Sequence, residues 1–167
     1  MPFSTLLTAE LASEFKNTRK ILERLPDSQG EFRPHDKSMP LGKLAGHVAQ
    51  LPSFMSIILT TPAYDFGKTK SPSLVFESAG QIAAAFDELA TKAQSDLAGT
   101  SDEAFEEIWK LTYNDQPIFS GTRFHAYRLM GINHMIHHRA QLGVYLRLLN
   151  QPVPGLYGPS ADDKMGF

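Results

Sequence analysis

The chain contains no cysteine, which removes disulfides, thiolate ligands and any thiol nucleophile of its own. That absence fits a cytoplasmic protein, and it means that any sulfur chemistry must use a borrowed thiol. Nor is there a basic block. Lys and Arg number 16 against 18 Asp and Glu, for a formal net charge of −2, so no phosphate-binding stripe stands out and nucleic acid is not an expected partner. Long apolar runs are missing too: the most apolar stretch, residues 54–59, is far too short to span a bilayer. The first ten residues lack a basic n-region and a small-residue cleavage site, so no signal peptide is read there. What remains is 167 residues, enough for a single domain, 1–167, to bury a core without disulfides or structural metal. A metal in such a chain would serve function rather than folding.

Apolar periodicity predicts four helices. From Phe3 to Leu25 the residues Leu7, Leu11, Phe15, Ile21 and Leu22 recur at threes and fours, with Ser4 as N-cap and Pro26 as the stop. A turn-rich connection, 27–37, leads to a second helix capped by Ser38. It carries His47 to about Leu59, and Pro52 inside it predicts a kink. Residues 60–77 read as a crossover loop. Ser78-Ala-Gly-Gln81 is a capping-box pattern opening a third helix that ends at Gly99. Between Ser101 and Ser120 the pattern is irregular, and Ile108–Tyr113 followed by the turn Asn114–Pro117 suggests a small hairpin. A fourth helix spans about Thr122 to Leu149, with Gly131 read as a point of close approach by a neighbouring backbone. The Pro- and Gly-rich residues after Asn150 should lie as an extended strap, in which Leu156 and Tyr157 are apolar enough to pack.

The chemistry concentrates in the fourth helix, at His134-Met-Ile-His137-His138. Residues four apart on a helix differ by about 40° of rotation and one turn of rise, so His134 and His138 can aim two imidazoles at one point, where a divalent cation is the natural occupant. Spacing alone leaves His137 open as a substitute for His138. A pair of imidazoles makes a weak site, whereas three protein ligands with one open position is the arrangement of catalytic zinc. His47, among Leu44, Val48 and Leu51 on a different helix, is the candidate third ligand, since an apolar wall favours the neutral imidazole that binds metal. His35 and His125 read as solvated. Arg139 reads as a surface charge or an anion-orienting group, and Gln141 as a solvated residue or a hydrogen-bond partner of a ligand. Trp109, Tyr113 and Phe119 read as packing residues at one end of the bundle, and Tyr127 and Tyr145 as core.

The run from Asn133 to Arg147, which contains His134, His138, Arg139 and Gln141, is followed by Pro152-Val-Pro154 and by Leu156-Tyr-Gly-Pro-Ser-Ala-Asp-Asp163. It resembles the ending of DinB-like proteins, whose last helix carries His-x-x-x-His-Arg-x-Gln before a Tyr-Gly-Pro tail. Pro40-Leu-Gly-Lys-Leu-Ala-Gly-His47-Val48 is similar to the segment that supplies that family's first histidine ligand. The resemblance covers the whole chain. It implies an all-α, up-down-down-up four-helix bundle with an extended C-terminal tail, and a short hairpin before the last helix is compatible with it. It also implies a divalent ion, zinc or nickel, on His47, His134 and His138, with His137 a neighbour rather than a ligand. Homodimers are common in the family. Some relatives transfer a low-molecular-weight thiol such as bacillithiol or mycothiol to an electrophile, with the metal lowering the thiol pKa. Others are metal-binding bundles without assigned chemistry.

Overall fold

The computed structural model describes residues 2–69 and 73–164. Helix α1, Phe3–Leu22, buries Leu7, Leu11, Phe15 and Leu22 along one stripe and starts after Pro2 rather than at Ser4. Helix α2, Leu41–Thr60, starts directly after Pro40 and continues through Pro52. Helix α3, Ala79–Ala98, is capped as its sequence suggests, with the Ser78 hydroxyl accepting from the Gln81 N–H and Gly99 closing the far end. After a short helix α4, Asp102–Glu106, the last helical rod comprises α5, Arg123–Ala126, a π-helical segment, Tyr127–Asn133, and α6, His134–Leu148. Their junction residues are all right-handed helical, so the rod is continuous.

Helix α1 packs against α3 and α6, and α2 packs against α3, α6 and the π-helical segment. The shared core includes Leu11, Leu44, Met55, Phe86, Tyr127 and Leu142, each at most 1% exposed. No helix among the described residues is long and apolar enough to cross a membrane.

The all-α expectation is corrected by a three-stranded mixed sheet. Strand β1, Ala63–Asp65, lies inside the segment read as a crossover loop. It pairs in parallel with β2, Ile108–Tyr113, at Ala63↔Lys110 and Tyr64↔Leu111. Strand β3, Gln116–Thr122, returns antiparallel to β2, with a register irregularity between Leu111 and Thr112. A pure four-helix bundle therefore does not describe this chain. Three residues are too few to show a period of two, and β1 is held by contacts that are distant in sequence. The Asp65 carboxylate accepts from the backbone N–H groups of Gly67, Lys68, Asn114 and Asp115 and from the Thr112 hydroxyl. Asn114 and Asp115 have φ of 47° and 66°, the left-handed pair that a tight hairpin turn requires. These bonds, led by the Asp115 N–H, hold the Asp65 carboxyl well below the usual carboxylate range. Asp65→Ala is expected to free β1 from the hairpin while the helices persist, seen as faster amide exchange confined to residues 63–68 and 112–116. Unchanged exchange there would remove Asp65 from this role.

Two arginines tie the architecture together. Arg123, 5% exposed, donates to the Ile58 and Thr61 carbonyls and so caps the C-terminal end of α2, while its other arm pairs with Glu107 at 2.8 Å. Arg139, 1% exposed, pairs with Glu14 at 2.7 Å and donates to the Glu14 carbonyl and the Thr18 hydroxyl. It is a core residue, which corrects its reading as a surface charge. The tail crosses this spot as a strap: Lys20 donates to the Gly155 carbonyl, and the Tyr157 hydroxyl accepts from Arg139 and donates to the Glu14 carboxylate. Burial and that carboxylate push the Tyr157 phenol upward, which keeps it a donor.

Candidate metal centre

The interior of α2 supplies His47, and the first two turns of α6 supply His134 and His138. Two glycines fix how closely their neighbours pack. A Cβ on Gly131 would lie 2.9 Å from Met55 Cγ on α2, and one on Gly46 would lie 2.4 Å from the Leu74 carbonyl oxygen, so segment 73–76 lies directly on α2 beside His47. Gly131 thus admits a side chain of α2, where sequence had suggested a backbone.

One ring nitrogen from each of His47, His134 and His138 falls within 4.8 Å of the others. The Nε2 atoms of His47 and His134 are 3.3 Å apart, and those of His138 and His134 are 2.9 Å apart. Partner atoms fix the tautomers. His138 Nδ1 donates to Gln141 Oε1 at 2.7 Å, and the His134 ring donates to the Met130 carbonyl through its other nitrogen. Both Nε2 atoms are left as lone pairs facing each other, an arrangement that the single N–H a neutral His47 could offer, 3.3 Å from His134 Nε2, satisfies at most by half. A cation does satisfy it: zinc–nitrogen bonds of about 2.0–2.1 Å in tetrahedral geometry set neighbouring nitrogens about 3.3 Å apart. The donor set therefore fits a metal ion.

Electrostatics favour the ligating form. Burial, reinforced by the charges His138 and His134 would carry, pushes the His47 pKa down from 6.5 to about 4. Burial likewise lowers that of His134, with His138 adding to the effect and the Met130 carbonyl opposing it. Both rings are neutral at pH 7.

His137 stands outside the trio. Its Nε2 accepts from the Gln141 amide at 3.3 Å while its ring lies 4.8 Å from that of His138, so Gln141 bridges the two imidazoles and orients His138. His35 and His125 are exposed, the first accepting from the Lys37 N–H at Nδ1. Trp109, Tyr127 and Tyr145 are buried as their sequence context suggests, and Phe119 is partly buried, but Tyr113 is 56% exposed.

Two cavities meet at His47. One, of about 130 Å³, is bounded by His47, His134 and an apolar wall from α2 and β1. The other, about 260 Å³, has Met39, Lys43 and Leu74 around its mouth, and Gln50 borders both. Sequence reasoning missed these walls. Gln50 and Phe54 could have been found, since three and seven residues after His47 put them on its helix face, but Tyr64 and Phe66 arrive through a strand without a periodic signal.

The model of the DinB family matches residues 1–165, and the chain belongs to that family. It is 26% identical over 154 residues to the uncharacterized protein YrdA of Bacillus subtilis (strain 168), covering 90% of this chain and 85% of YrdA. The crystal structure of a DinB-like protein from Bacillus cereus ATCC 10987 superposes with a TM-score of 0.70 at 24% identity, covering 93% of this chain and 98% of that one. The DinB-like protein YjoA of Bacillus subtilis gives 0.66 at 16% identity, over 87% and 92% of the two chains. At these identities the structures speak to the fold alone.

Proposed function

We propose that this protein is a divalent-metal-dependent transferase that activates a low-molecular-weight thiol on His47, His134 and His138 for attack on a small electrophile. The observation that carries the reading is the pair of opposed Nε2 lone pairs at 2.9 Å beside a cavity that His47 and His134 also line. Three imidazoles suit zinc or nickel, and such an ion supplies the positive charge that makes a thiol a thiolate at neutral pH. The chain itself holds the rings. Gln141 fixes the His138 tautomer, the Met130 carbonyl fixes that of His134, and burial keeps His47 unprotonated. Apolar side chains of α2 and the β1 region cover one side of the histidines. Among the described residues no carboxylate or lysine lines the smaller cavity, so the proton that a thiol bound at such an ion would lose would pass to solvent rather than to a general base there. The absence of cysteine makes an external thiol the only sulfur nucleophile available.

The test is a cobalt-substituted sample titrated with bacillithiol, mycothiol, glutathione and coenzyme A. A sulfur-to-metal charge-transfer band with at least one of them, absent in His138→Ala, is expected, together with transfer of that thiol to a small electrophile. If none perturbs the spectrum, the site is a metal-binding one without thiol chemistry.

A further inference from the structure

The smaller cavity beside the histidines has a chemistry of its own. Its walls are Leu51, Phe54 and Ile57 from α2 with Tyr64 and Phe66 from β1 and the turn after it. The aromatic rings form a connected set: Phe54 stacks on Phe66 at 5.5 Å and 22°, and Tyr64 meets Phe54 and Phe66 edge-on at 5.8 and 5.2 Å. Behind them Trp109 meets Phe54 edge-on at 6.1 Å and is fully buried, so the inner wall is backed by core. Phe66 is different. It is 48% exposed, a large apolar side chain at the rim whose backbone is anchored by its N–H to the Thr112 carbonyl at 3.0 Å. Apart from the histidines, the polar residues of the lining are Gln50, Ser53 and Tyr64, and among the described residues no charged side chain contributes.

Size and lining together select an occupant. A dry apolar cavity of about 150 Å³ lined by Leu, Ile and Phe accommodates benzene, and the present one measures about 130 Å³. Aromatic walls favour an aromatic guest through offset and edge-to-face contacts. A carboxylate or ammonium placed there in the metal-free protein would lose hydration with no charged side chain of the described lining to pair with. We propose that this cavity is the subsite for a neutral, single-ring apolar group on the small molecule that reacts at the histidines, with Phe66 as its outer wall. The assignment of that molecule as the electrophile rests on the transferase reading above. Occupancy of the cavity by such a ring does not.

The experiment titrates fluorobenzene, with benzoate as the charged counterpart, into the ¹⁵N-labelled protein and into three variants. Fluorobenzene should shift amide resonances of residues 50–57 and 64–66, and benzoate should bind at least about tenfold more weakly. Binding should persist in His138→Ala, which lacks one of the three imidazoles of the metal site but whose ring does not line this cavity, so a failed metal or thiol experiment leaves this result standing. Ile57→Trp, which fills the space, should abolish the shifts. Phe66→Ala, at a half-exposed rim position, should weaken binding several-fold without unfolding and so serves if Ile57→Trp does not fold. Fluorobenzene that fails to bind, that binds no better than benzoate, or that binds Phe66→Ala as well as the parent overturns the proposal.

Discussion

His134→Ala is expected to abolish stoichiometric binding of a divalent cation while leaving a folded helical protein. His134 Nε2 lies 2.9 and 3.3 Å from the other two Nε2 atoms, so its loss leaves two imidazoles where three had converged. The weakening should exceed the roughly 10–100-fold typical of removing a group that merely orients a ligand, and Gln141→Ala, which frees His138, should fall within that range. His137→Ala should keep full stoichiometry. Metal content of untagged protein and competition titrations measure all three. Retained metal in His138→Ala with loss in His137→Ala would reverse the choice of pair.

The same site gives a pH dependence whose sign follows from the histidine pKa values. Metal competes with protons for imidazole, and because His47 takes up its proton only near 4 in the folded protein and His134 is lowered as well, the loss of occupancy on acidification should lie below the usual imidazole value of about 6.5. The metal-free protein behaves differently. His47 takes up its proton near pH 4 when folded and near 6.5 when unfolded, so between those values the unfolded state holds more protons. Stability contributed by this residue is present above about 6.5 and lost as pH falls toward about 4. Chemical denaturation of the metal-free protein across that window should show the decline, and His47→Gln should flatten it. Loss of occupancy that sets in above about 6.5 would contradict the lowered histidine values.

Arg139→Met is expected to be the most destabilising single change away from the histidines. It strands the Glu14 carboxylate, 6% exposed, without its cation, and it removes the donors to the Glu14 carbonyl, Thr18 and Tyr157. Breaking a buried pair from one side costs about 3–5 kcal/mol. At about 2–4 °C per kcal/mol for a chain of this size, Tm should drop by roughly 6–20 °C. Removing both charges together, in Arg139→Met with Glu14→Gln, should recover part of the loss, because the stranded carboxylate causes much of it. A single variant melting within about 2 °C of the parent would mean the pair contributes little.

The histidine cluster was legible because its two halves are local patterns: a His-x-x-x-His spacing on a helix, and a histidine among apolar residues on another. Helices α1, α2 and α3 were legible for the same reason, each repeating its apolar residues often enough to show a period. The strand β1 was not, since three residues carry no period and its anchor, Asp65, bonds to groups some fifty positions away. Arg139 was misread because nothing near it in sequence marks it as buried, and its partner Glu14 lies 125 positions earlier. The short helix α4 is fixed by tertiary contacts, among them the bond from the Phe3 N–H to the Asp102 carboxylate at 2.7 Å.

The π-helical segment, Tyr127–Asn133, matters for how chains of this family are compared and engineered. Such segments hold more residues per turn than an α-helix, so the rod before it and the rod after it run in different phases. Arg123, which locks the end of α2, and His134, which opens the histidine turn, are each seated correctly only with that phase offset between them. Deleting one residue from the segment would turn everything downstream by about 100°, carrying His134 and His138 off the face of His47 and Arg139 off Glu14 wherever the upstream part kept its own contacts. Relatives whose last helix is regular from end to end should therefore be one residue shorter between these two landmarks, and an alignment that spreads that gap elsewhere would mismatch one anchor or the other.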